Sequence, residues 1–238
     1  MPGKFDATLA ALGTTRLDAP AEGVRLWWRS LAASGAERDS LASLLSEGER
    51  TRASRFGRPE LCDRYVVGRG TLRVVLANEL DLEPGKVVIV RGARGRPQLD
   101  TSLGALDFNV SHTAGFAIFA LARFGHVGVD IEREDRSINA EGIARKFLAA
   151  SERIALDGRD PDLARRQILR LWTCKEAMSK ATGDALSAPF SRIEVALEPV
   201  LAVIAGPERY EASRWRLRRA AAPAGFLGTV ALWNRPPA

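Results

Sequence analysis

The stretch Trp172-Thr-Cys-Lys-Glu-Ala-Met-Ser-Lys180 lies late in an amphipathic run that starts near Asp162. At 3.6 residues per turn, Leu163, Ala164, Leu171, Cys174, Ala177, Met178 and Ala181 share one side of a helix. Trp172, Lys175, Glu176, Ser179 and Lys180 share the other. The first side is a core stripe. The second sets a carboxylate between two ammonium groups, with an indole beside them. A solvated face with a Glu176–Lys180 pair at i,i+4 would account for this at a few tenths of a kcal/mol. Residue usage argues for more. Of the 35 Lys and Arg residues, only Lys4, Lys86, Lys146, Lys175 and Lys180 are lysine. A chain that otherwise chooses arginine has placed two of its lysines here, and a compact ammonium is not interchangeable with a planar guanidinium.

Upstream, Val127-Gly-Val-Asp-Ile-Glu132 alternates as a strand. Val127, Val129 and Ile131 take one face; Gly128, Asp130 and Glu132 take the other. Carboxylates two strand residues apart are about 6.5–7 Å apart at the backbone, close enough for their oxygens to converge on one cation. Gly128 leaves room for something to approach. A plain polar outer face is the alternative, but aligned acids repel unless a cation lies between them. Glu176 supplies a third carboxylate if the helix crosses this strand, and carboxylate oxygens with a phosphate are the usual environment of Mg²⁺. Zinc spacing is absent, because the histidines are His112 and His126 and there is no CxxC. A Ser-His-Asp triad at Ser111-His112 fails, because neighbours on a strand point to opposite faces.

Helical patterns (Glu37–Leu45, a capping box at Ser46–Glu49, Glu60–Leu80, Ile138–Leu148, a short helix capped by Ser151) mix with meandering strands. The strands include an apolar Val87–Val90 and a hairpin of Leu106–Ser111 with Phe116–Ala122 that turns over His112–Gly115. This mixture predicts an α+β fold rather than a doubly wound sheet, with a seam between halves near Gly125–Arg136. The 238 residues are 46% hydrophobic and 27% charged, enough for a sizeable core. The net charge of +6 points to an anionic partner: nucleic acid, a phosphorylated small molecule or an acidic protein. Cys62 and Cys174 make no disulfide framework, and there is no signal-peptide pattern or membrane-length apolar run. A cytoplasmic location is expected. Arg52, Arg64, Arg94, Arg96 and His112 come from separate segments and suit phosphate handling; Gly92–Pro97 is a basic glycine-rich loop but not a Walker loop.

Taken in order, Gly95-Arg-Pro97, Phe108-Asn-Val-Ser-His-Thr113, Val127–Glu132, Arg145-Lys-Phe-Leu-Ala-Ala-Ser-Glu152 and Trp172–Lys180 resemble the 4′-phosphopantetheinyl transferases of the long, Sfp type. The resemblance spans about Glu47 to Arg192 and rests on G-(V/I)-D-x-E followed by W-x-x-K-E-(A/S)-x-x-K. It implies a monomer of two similar α+β halves in a pseudo-two-fold arrangement, with the active site at their junction. Residues 1–124 would form the coenzyme A 3′-phosphate and adenine side, and residues 125–238 the metal and catalytic side. It implies transfer of phosphopantetheine from coenzyme A to a serine of an apo acyl or peptidyl carrier protein, with Mg²⁺ (Mn²⁺ as the alternative ion).

Carried over by position, Asp130, Glu132 and Glu176 resemble the metal ligands, and Glu176 also the base that accepts the serine proton, directly or through water. Lys175 and Lys180 resemble pyrophosphate contacts, and Arg52, Arg64 and His112 contacts to the 3′-phosphate end. Arg96, Pro97 and Ser111 resemble the adenine-side wall. Arg96 stands where many members have lysine, and Glu49 where some have a basic residue. Rival readings are a nucleic-acid-binding protein, a non-catalytic carrier-binding relative and another Mg²⁺-dependent nucleotide enzyme. The first explains the charge but not two aligned acids; retention of all three acids and both lysines argues against the second. No contact with membrane or nucleic acid is expected.

Overall fold

A computed structural model describes residues 3–234. The elements run α1 (Asp6–Ala11), β1 (Thr15–Leu17), β2 (Val24–Ser30), α2 (Gly35–Ser43), α3 (Glu47–Ser54), α4 (Pro59–Leu80), β3 (Ile89–Arg91), β4 (Pro97–Leu99), β5 (Asp107–Thr113) and β6 (Phe116–Ala122). They continue through β7 (His126–Arg133), α5 (Ala140–Phe147), α6 (Ala150–Ile154), α7 (Pro161–Thr182), β8 (Glu194–Ala196), β9 (Ala202–Ala205), β10 (Trp215–Arg219) and β11 (Phe226–Trp233). The fold is α+β.

Two antiparallel sheets carry it, ordered β1-β2-β6-β5 and β10-β11-β7. Each is covered on one face by a 22-residue helix, α4 or α7. Both helices start with proline in the first turn, where the missing N–H is not needed. The uncovered faces pack together. Leu26, Trp28, Ile118 and Ala120 of the first sheet meet Val127, Val129, Ile131 and Val230 of the second in a shared apolar layer. The alternation read from Val127–Glu132 therefore holds: its valines and isoleucine enter this layer, and its glycine and acids face α7.

Gly128 is where the helix comes closest. A Cβ there would lie 1.9 Å from Ala177 O and 2.6 Å from Ala181 N. The room expected for a ligand is filled by the backbone of α7. The capping box at Ser46 and Glu49 forms as expected. Three local expectations change. The 106–122 hairpin closes on Ala114 and Gly115 alone, both at positive φ, so His112 and Thr113 remain in strand. The apolar run Val87–Val90 yields only a short strand paired with β4, with Val88 and Val90 exposed. Finally, Ser151 lies inside α6. The N-cap is Ala149, whose N–H donates to Glu152 Oε2 at 2.7 Å.

Candidate active site

β7 and α7 bring the acids and Lys180 together. Lys180 Nζ donates to Asp130 Oδ1 at 2.6 Å, Ser111 Oγ at 2.9 Å and Val129 O at 3.2 Å. The Ser111 hydroxyl donates to the same Asp130 oxygen at 2.9 Å. Asp130 Oδ2 is buried and has no hydrogen-bond partner among the described residues. A buried carboxylate oxygen left this way is costly unless a ligand completes it. Glu132 accepts from Thr113 Oγ1 at 3.1 Å and pairs with Arg136.

Glu176 projects from α7 towards both acids. Burial raises its pKa above the ordinary carboxylate value; Asp130 and then Glu132 add repulsion, with Lys180 opposing. Burial likewise raises Glu132, Arg136 offsetting part and Asp130 adding to the rise. The three acids thus share one electrostatic environment that a cation would relieve. They are not closed around a point. Among the described residues no group of three or more His, Cys, Asp or Glu is arranged to hold an ion, so the expected convergence is not complete in this arrangement. Lys180 and Arg136 occupy two of the carboxylates.

Lys175 requires correction. Its ammonium is 0% exposed and does not share the face of Glu176 and Lys180. It donates to Glu152 Oε2 (2.6 Å), Ile193 O (2.7 Å), Phe190 O (2.8 Å) and Phe147 O (3.0 Å). The cause is coverage. α7 lies on the β7–β11 sheet along one flank, while α6, β8 and the Phe190 turn cover another, so its buried arc includes Lys175 and Ser179. Burial lowers the Lys175 pKa and Glu152 opposes that.

A cavity of about 160 Å³ lies between α4 and β5, lined by Tyr65, Gly68, Arg69, Pro97, Val110 and His112 among others. A second, of about 210 Å³, adjoins it across Tyr65, Arg69 and Pro97, and Arg52 and Arg91 border it. Pro97 borders both cavities, His112 the first and Arg52 the second. Arg64 is exposed on α4 beside the β5–β6 turn. His112 keeps an exposed edge, yet burial of the rest of the ring pushes its pKa down to about 4, with Lys180 and Arg69 adding repulsion. A basic residue from α4, Arg69, stands beside Glu49. Arg69 lies over the Tyr65 ring and 3.5 Å from Glu49, and one of its guanidinium nitrogens is buried without a hydrogen-bond partner among the described residues. Sequence reasoning placed Arg69 on that helix without nominating it; its i,i+4 relation to Tyr65, beside the small Gly68, was the available signal.

Two more assignments shift. Arg96 does not wall the recess. Its guanidinium holds Asp107 bidentately (2.8 and 2.9 Å), Lys180 O (2.8 Å) and Val127 O (3.0 Å). Burial opposes ionisation of Asp107, but His126, Arg96 and the Val127 N–H outweigh it and hold its pKa low. Ser111 is buried against Asp130, on the opposite face of β5 from Val110 and His112. Its hydroxyl lies with Asp130 and Lys180.

Two family models match the chain. The 4′-phosphopantetheinyl transferase superfamily model covers residues 126–229, and the 4′-phosphopantetheinyl transferase N-terminal model covers residues 29–123. The 4′-phosphopantetheinyl transferase HetI of Nostoc sp. is 36% identical over 178 residues, 74% of this chain and 75% of that protein. A putative 4′-phosphopantetheinyl transferase of Synechocystis sp. is 30% identical over 74% of this chain and 71% of its own. The 4′-phosphopantetheinyl transferase Sfp of Bacillus subtilis is 28% identical over 68% and 70%. No helix among the described residues is long and apolar enough to cross a membrane.

Proposed function

Because the chain belongs to the 4′-phosphopantetheinyl transferase superfamily, we propose that it moves phosphopantetheine from coenzyme A to a serine hydroxyl of an apo acyl or peptidyl carrier protein, with Mg²⁺ held by Asp130, Glu132 and Glu176. The observation that carries the metal reading is the unpartnered, buried Asp130 Oδ2 beside two carboxyls of raised pKa. Hard oxygen donors of this kind suit Mg²⁺ or Mn²⁺. The bound ion would supply positive charge to the diphosphate.

The recess of Tyr65, Pro97, Val110 and His112 suits the adenosine end, with Arg52, Arg64 and Arg69 near its phosphate. The diphosphate then lies towards Lys180. The serine oxygen attacks the pantetheine-side phosphorus and the bond to the adenosine bisphosphate oxygen breaks. Lys180, exchanging Asp130 for the phosphate, stabilises the charge growing on that leaving oxygen. Glu176, beside the acids, takes the serine proton directly or through a water. The net charge of +6 favours docking of an acidic carrier. We assign residues 1–124 to the nucleotide side and 125–238 to the acid side, acting as a cytoplasmic monomer.

The test is incubation with coenzyme A, Mg²⁺ and a panel of apo carrier proteins. The expected result is a mass gain of one phosphopantetheine on a carrier serine. No gain on any carrier, with salt-sensitive nucleic-acid binding instead, would overturn the reading.

A further inference from the structure

Strand β5 reads in two directions. Phe108, Val110 and His112 turn to the recess, whereas Asp107, Asn109 and Ser111 turn to β7. Neither strand pairs with the other through main-chain bonds. Instead three side-chain oxygens of β5 accept three N–H groups of β7. Val127 N donates to Asp107 Oδ2 at 2.7 Å, Val129 N to Asn109 Oδ1 at 3.0 Å, and Ile131 N to Ser111 Oγ at 3.3 Å. The carbonyls along that edge go to cations: Val127 O to Arg96 (3.0 Å) and Val129 O to Lys180 (3.2 Å).

This substitute ladder satisfies an edge that would otherwise carry buried orphan groups. Rungs made of side chains also hold the strands farther apart than the about 4.8 Å of a main-chain ladder. Lys180, Ser111 and the Asp130 carboxylate occupy the region between them. The strand lining the recess and the strand carrying the acids are thus registered by three side chains. The middle rung grips Val129, the residue directly before Asp130.

We propose that Asn109 is a positioning residue for transfer, with the Asp107–Arg96 pair as its companion at the neighbouring rung. Asn109 fixes Val129, and through it Asp130 and Lys180, relative to the recess. Phosphates entering from one face of β5 then meet the acids held on the other. The proposal rests on the transferase reading. It assigns Asn109 no dominant share in nucleotide affinity, because its side-chain oxygen is turned to β7 although the residue borders the recess.

The test compares Asn109→Ala with Asn109→Asp, which keeps an acceptor oxygen at the same reach. Three quantities are read: kcat for transfer from coenzyme A, the coenzyme A Kd by calorimetry, and amide exchange of the 126–133 segment. Asn109→Ala should lower kcat about ten- to a hundredfold, the range expected of a misplaced reacting group. It should leave Kd within about twofold and speed exchange at Val129. Asn109→Asp should recover most of kcat. Where the alanine variant does not fold, Asn109→Ser, whose hydroxyl is a shorter acceptor, takes its place with the same expectations. An unchanged kcat, a Kd weakened in proportion to the loss of kcat, or an aspartate variant as slow as alanine would each overturn the role. Absence of transfer by the unaltered chain would instead overturn the transferase reading, and the role with it. The exchange measurement reports the rung without turnover, so the two failures are distinguishable.

Discussion

Two lysine–carboxylate pairs leave α7 within one and a half turns of each other, each with an Nζ–O distance of 2.6 Å. Lys175 and Glu152 are 0% and 3% exposed, and their remaining polar atoms are engaged by backbone groups around them. Lys180 and Asp130 are 26% and 7% exposed, and Asp130 keeps an oxygen without a partner. A closed buried pair ties elements together. An open one, with a free oxygen facing other acids, is poised for a ligand. Distance and residue type do not separate the two pairs; completeness of hydrogen bonding does.

Breaking the closed pair should have the largest effect. Lys175→Met leaves Glu152 charged and buried, which costs about 3–5 kcal/mol; chemical denaturation should show the folded state largely lost. If that variant folds normally but loses only coenzyme A affinity, the contrast between the lysines collapses. At the open pair the loss falls on turnover. Asp130→Ala should fold and lose at least about 10²-fold in transfer, and Lys180→Ala should do likewise through the leaving phosphate. Labelled coenzyme A transfer at an unaltered rate in either variant would contradict this.

Gly128→Ala sharpens the comparison from the helix side. Its Cβ would strike Ala177 O, so α7 must move, at about 1–3 kcal/mol for overpacking. A thermal melt unchanged by this substitution would show that the strand and helix are not fixed as described.

Smallest is the pH effect of Glu176. Its folded pKa is raised above 4.5, so between 4.5 and that higher value the folded state binds more protons than the unfolded one. Stability is therefore lost as pH rises through that window. Glu176→Gln should flatten this fall and stabilise the chain slightly at neutral pH. A steeper fall in the variant would reverse the sign.

Much of this was legible in the sequence. Period 2 in Val127–Glu132 placed the acids on one face, and period 3.6 in α7 placed Glu176 and Lys180 together, because both patterns are local. Lys175 was misread because the arc of a helix that is buried depends on what covers it, and α6, β8 and the Phe190 turn are set by tertiary packing. Gly128 was seen as a gap, when the helix backbone fills it. Arg96 reads from the sequence as a phosphate-handling residue of the adenine-side wall, because its actual acceptors, Asp107, Val127 O and Lys180 O, come from three separate segments. The β5–β7 rungs were invisible for the same reason: Asp107, Asn109 and Ser111 look like any polar strand face until a second sheet arrives opposite them.

The most direct test of one shared site is a calorimetric Mg²⁺ titration in the presence of coenzyme A, for the unaltered chain and for Asp130→Asn. The account predicts binding of a single ion per chain by the unaltered protein and loss of that binding in the variant. An isotherm that Asp130→Asn leaves unchanged would contradict it.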